Sequence, residues 1–69
     1  MSVAKVTEIT SESPKSFEKA IEEGIARAAK TLKNIKSAWV SEHHLTIEKG
    51  KIVGYRVNMK LLFVLEDGR

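Results

Sequence analysis

No cysteine occurs in this 69-residue sequence, which excludes disulfides and thiolate-held metals. No apolar run approaches the roughly 20 residues a membrane-spanning helix needs. The opening stretch MSVAKVTEIT carries nothing apolar enough for a signal peptide, so a cytoplasmic protein without membrane contact is the expectation. Charge of one sign is also missing: 12 basic and 9 acidic residues are interspersed and leave a net +3, whereas a nucleic-acid binder concentrates its basic charge on one face or tail. There is no Gly-rich phosphate loop, no paired nucleophile and base, and no paired carboxylates, so no enzyme is expected and no nucleic-acid partner. Repeats, linkers and low-complexity segments are absent too, and residues 1–69 read as one domain. A chain this short buries only about 60% of the surface its unfolded form exposes. Small folds need a staple, and with disulfides and thiolate metals excluded, oligomerisation is the one left.

What is present divides into four segments. Residues 3–10 are rich in β-branched side chains and read as a first strand. Ser13 before Pro14 reads as a helix start, since serine caps free N–H groups and proline is tolerated at the first helical position. From there Phe17, Ala20, Ile21, Ile25, Ala28 and Leu32 recur at spacings of three and four, one apolar stripe on a helix of about five turns. Gly24 costs about 1 kcal/mol relative to alanine in a helix interior, which predicts close approach of the sheet or a neighbouring subunit. Asn34 marks a stop. Residues 37–48 form a second strand, Lys49-Gly50 a tight turn, and residues 51–66 a third strand, with the polar tail beyond it frayed.

The order β-α-β-β predicts an α+β fold: a three-stranded antiparallel sheet, strand three in the middle, packed on one long helix. One helix covers one face. On strand three, Tyr55, Val57, Met59, Leu61, Phe63 and Leu65 share a parity, and Arg56, Asn58, Lys60, Leu62 and Val64 share the other. On strand two, Trp39, Leu45 and Ile47 share a parity with Ser37, opposite Ala38 and Val40. Both faces therefore carry bulky apolar groups, and a second apolar face marks an interaction surface. The alternation is expected to break near Glu42–His44 through a bulge.

Trp39 packs on a neighbouring subunit in the simpler reading, tryptophan being enriched at interfaces, and is also a candidate for stacking a planar ligand. Arg56 suits an anion, or a salt bridge to Glu42 or Glu48 of another subunit. His43 and His44 point to opposite faces. Glu42 and His44 share one, where they could supply two metal ligands with symmetry mates adding more.

The run SPKSFEKAIEEGIARAAKTLKNI, the long hairpin and GYRVNMKLLFVLE resemble the dodecin family over nearly the whole chain. That resemblance implies a hollow homododecamer and a role in flavin storage and protection without turnover, with FMN, FAD or riboflavin as ligand. In the flavin-binding members a tryptophan stands six residues after the Thr of the Thr-Leu pair; counted from Thr31 that position is Ser37, and the indole here is Trp39, two residues later. The residue after Tyr55, glutamine in those members, is Arg56. Serine has no π-face, and a guanidinium donates but cannot accept. The flavin site is therefore expected to be altered or lost, with Trp39, Arg56 and Ser37 as the residues a bound flavin would engage. The Tyr55-Arg56-Val57 form resembles a branch linked to calcium, which makes a divalent cation the second candidate ligand, at Glu42 and His44. The alternatives are an ion-binding shell, for a cation or an anion, and a purely structural homo-oligomer.

Overall fold

The computed structural model describes residues 3–65. Strand β1 (Val3–Ser13) leads to helix α1 (Phe17–Ala28), then β2 (Ile35–Glu48) and β3 (Lys51–Leu65). The sheet order is β1-β3-β2, with both pairings antiparallel, so β3 lies in the middle as expected. Lys49 and Gly50 both take positive φ, 53° and 76°, the geometry of a two-residue hairpin turn whose twist matches that of its strands.

Two boundaries differ from the sequence expectation. Ser13 does not cap the helix. It is buried at the end of β1, and its Oγ accepts the Lys15 N–H at 3.0 Å. The first strand thus runs three residues past Thr10, through Glu12 and Ser13, whose side chains carry their own partners, and Pro14 lies in the connection rather than in the helix. The cap is Ser16, whose extended backbone lets Oγ accept the Lys19 N–H at 2.9 Å. At its other end the helix stops at Ala28, so its 12 residues make about three turns, not five. The chain keeps the helical sense in tighter i→i+3 bonds, Lys30 N–H to Arg27 O and Thr31 N–H to Ala28 O, which is why Leu32 stayed in step with the stripe. Asn34 then takes φ 63° and turns the chain into β2, which starts two residues earlier than expected. The last residue of the anticipated third strand and the polar tail lie outside the described residues.

The core is aliphatic. Ala20, Val57 and Met59 are fully buried, with Ile9, Phe17, Ile21, Ile25 and Val40 packed around them. Gly24 faces the sheet: a Cβ there would sit 2.9 Å from both Met59 Cε and Ser11 Cβ, so its missing side chain admits β1 and β3. Phe17 meets His43 and Tyr55 edge-on, with centroids 4.7 and 5.2 Å away.

Length decides what stays open. A 12-residue helix is about 18 Å long and a 15-residue strand about 50 Å. The helix shields the stretch of β3 that β1 also pairs, and the hairpin runs on past it, carrying exposed Leu45, Ile47, Ile52 and Val53. The radius of gyration, 14.4 Å, exceeds the about 11 Å of a compact chain this long. A bare two-stranded arm is marginal in water.

The bulge expected near Glu42 is present and corrects the face assignment. The register slips between Val40 and Glu42, and Ser41, the extra residue, donates its Oγ–H to Asn58 O at 3.1 Å. Beyond it the parity of β2 reverses. Ser37 and Trp39 lie opposite Leu62 and Lys60 on the face away from the helix, whereas Leu45 lies opposite Tyr55 on the helix side, with Ile47 further along the arm. Leu45 and Ile47 therefore do not share a face with Trp39.

Candidate functional site

The sheet face that α1 leaves open is a ladder of cross-strand rows. In order they are Val6–Leu62–Ser37, Glu8–Lys60–Trp39, Thr10–Asn58–Glu42 and Glu12–Arg56–His44, with Gly54–Thr46 beyond. Successive rows are two residues apart, about 7 Å. The first two rows hold Val6, Leu62 and Trp39 beside Ser37, Glu8 and Lys60; Trp39 is 45% exposed and Val6 47%. The rest form a polar half held by side-chain hydrogen bonds.

Asn58, on the central strand, organises the third row. Its Oδ1 accepts the Thr10 hydroxyl at 3.0 Å, and its Nδ2 donates to Glu42 Oε1 at 2.8 Å. The same Glu42 oxygen accepts His44 Nε2–H at 3.2 Å. Glu42 and His44 do share a face, as the sequence indicated. The His44 hydrogen bond, then the Asn58 amide, then the charge of His44 hold the Glu42 carboxyl below its ordinary value of 4.5. A lowered carboxylate pKa contributes stability above the unfolded value, and that contribution is lost as pH falls through the folded one. Glu42→Gln should accordingly lower the melting temperature near neutral pH, with the gap to the parent protein closing between about pH 5 and pH 3. A gap that persists unchanged in acid would show that the Glu42 charge plays no part.

The fourth row holds a contact that the sequence reading missed. Glu12 Oε1 accepts from Arg56 Nη2 at 3.3 Å and from Nε at 3.4 Å, while Oε2 accepts the Thr46 hydroxyl at 3.1 Å. Within its own chain, Arg56 is thus paired with Glu12. Gly54 makes room, since a Cβ there would collide with the Glu12 carboxylate. The signal was available: once β1 is carried to Ser13, antiparallel register places Glu12 opposite Arg56.

Of the sequence candidates, Trp39 and Ser37 occupy adjacent rows at one end, and Arg56 lies two rows from Trp39, about 14 Å along the sheet. One subunit therefore does not bring all three together around a single ring. Glu42 and His44 offer two donors, and no group of three or more His, Asp or Glu gathers anywhere among the described residues. Calcium takes six to eight oxygen ligands, so a single subunit does not build a calcium site. The indole, by contrast, is 45% exposed, paired across the strands with Lys60 and diagonal to Leu62, so it offers a π-face on which a planar ring can stack. A concavity of about 470 Å³ opens elsewhere, between α1 and β1, lined by Thr10, Glu23, Arg27 and Thr31 among others. None of the sequence candidates reaches it.

The dodecin family model matches residues 3–66. A dodecin structure from Streptomyces davaonensis superposes with a TM-score of 0.91 at 35% identity, covering 96% of this chain and 97% of that one. The Calcium dodecin of Mycobacterium tuberculosis is 33% identical over 100% of this chain and 97% of its own length. A crystal structure of the M. tuberculosis protein, described as calcium chelating with a novel calcium-binding site, matches with a TM-score of 0.81 at 32% identity, covering 97% of this chain and 96% of that one.

Proposed function

This chain belongs to the dodecin family, and on that premise we propose that it is a cytoplasmic, non-catalytic shell, one domain per chain assembled as a homododecamer, that binds and stores a small planar ligand through Trp39. The observation that carries the reading is the open face: an exposed indole, diagonal to Leu62, on the side of the sheet away from α1. Packing against other subunits would remove that apolar surface and the hairpin arm from water, at about 25 cal/mol per Å² of apolar area. In membrane terms, no helix among the described residues is long and apolar enough to cross a bilayer.

The ligand we favour is a flavin, riboflavin or its phosphorylated forms FMN and FAD, in a site displaced from the one the resemblance implies. Ser37 stands where the stacking indole would be, and Trp39 presents its ring one row along on the same face. Ser37 would then line the site beside the ring, and Arg56 would meet the ligand's substituents two rows away. Titrating riboflavin with the purified particle should quench the flavin fluorescence, because a stacked indole is an efficient quencher. Fluorescence that stays constant through a stoichiometric excess of protein would overturn the flavin assignment.

A second reading, a divalent cation such as calcium, draws on the Calcium dodecin relative and on Glu42, whose Oε2 makes no hydrogen bond among the described residues. Calcium prefers oxygen donors, so Glu42 would ligate it and His44 would orient Glu42, with further oxygens supplied by symmetry-related copies. A calorimetric calcium titration that shows no heat at millimolar concentration would remove this reading.

A further inference from the structure

We propose that Glu12 sets the ligand preference of the open face: with its carboxylate seated in the Gly54 notch against the Arg56 guanidinium it screens that cation from anions, so among flavins the face prefers an uncharged polar tail to a phosphorylated one. This rests on the ligand-binding reading above, and it assigns a role to a residue that is not one of the ring-stacking candidates.

The geometry is specific to the carboxylate. Glu12 on the outer strand β1 reaches across the central strand to β2, and it can do so only because residue 54 has no side chain. Both of its oxygens are engaged, Oε1 by two guanidinium N–H groups and Oε2 by Thr46. An exposed ion pair alone contributes little; here a third donor and a backbone notch fix its position. Two of the five guanidinium N–H donors go to Glu12, and the remainder can still serve a hydroxyl or carbonyl oxygen. A phosphate is different. It must either displace Glu12 from its three donors or lie beside a carboxylate of the same sign, and Glu42 adds negative charge one row away. In the flavin reading above the ring stacks on Trp39 and the tail extends toward the Arg56 row, so the selection would act on the tail.

Riboflavin and FMN differ at that place alone, by one phosphate. The parent particle should bind riboflavin at least as tightly as FMN, and should give no heat with inorganic pyrophosphate. In Glu12→Gln, FMN should gain at least about tenfold over riboflavin, which is about 1.4 kcal/mol, and pyrophosphate binding should appear; adding Arg56→Gln should abolish both. Gly54→Ala should reproduce part of the gain with Glu12 intact, because the displaced group is the free end of a side chain. It therefore serves as the second variant if Glu12→Gln does not assemble. If neither variant binds pyrophosphate, the role of Glu12 is overturned. If the variants bind pyrophosphate but no protein binds either flavin, Glu12 stands as the guard of Arg56 and the flavin reading falls.

Discussion

Trp39→Ala is expected to dissociate the particle, or to lower its melting temperature by well over 10 °C, and to abolish flavin quenching. A tryptophan contributes 150–250 Å² of burial, and truncating a central interfacial tryptophan typically costs 2 kcal/mol or more. In a closed assembly that loss recurs in every subunit. In an isolated subunit the indole is 45% exposed, with Val6 and Leu62 in the row beside it, so the area it can still lose to a neighbour or ligand is large. Light scattering and a thermal melt read the assembly role; fluorescence reads the ligand role. Unchanged mass and melting temperature would show that Trp39 is not at a seam. Quenching that survives in the variant would show that the indole is not the stacking surface.

Met59→Ala should be the most damaging substitution inside the subunit. Met59 is fully buried on the central strand, opposite Ile9 on one side and Val40 on the other, and its methyl lies under Gly24. Truncation leaves a cavity roofed by Gly24, with no side chain at that position of the helix to fill it. Buried Met→Ala costs about 2–5 kcal/mol, a large share of the 5–15 kcal/mol that folded domains typically have. Chemical denaturation should show that loss, while Met59→Leu, nearly volume-conserving, should cost less than about 1.5 kcal/mol. Equal effects for the two would place Met59 outside the core.

The order of elements, the central position of β3 and the buried face of β3 were legible because a period of two and a period of 3.6 are strong signals over 12 to 15 residues. Gly24 was legible for the same reason: a glycine on the buried stripe of a helix has few other uses. The ends of the helix were not. Two serines, Ser13 and Ser16, each precede a run that can be helical, and only the tertiary pairing of Ser13 with Tyr55 shows which one belongs to the sheet. The faces of β2 were half legible. A bulge near Glu42 could be anticipated, but whether Leu45 and Ile47 stay with Trp39 depends on a single extra residue, since one inserted position moves every later side chain to the other face. The polar half of the site was the least visible, because Glu12, Asn58 and Thr46 lie on three different strands and meet only through register. With β1 stopped at Thr10, Glu12 had no strand to sit on and Arg56 no partner.

The central claim is a homododecameric shell holding a flavin at a displaced indole. The most direct test is the absorbance spectrum of the untagged protein, recorded across its size-exclusion peak with in-line light scattering after purification in the presence of excess riboflavin. The account predicts one particle of twelve times the 7.7 kDa chain mass that carries the visible flavin band through the peak. A colourless peak, or a particle no larger than a monomer or dimer, would contradict it.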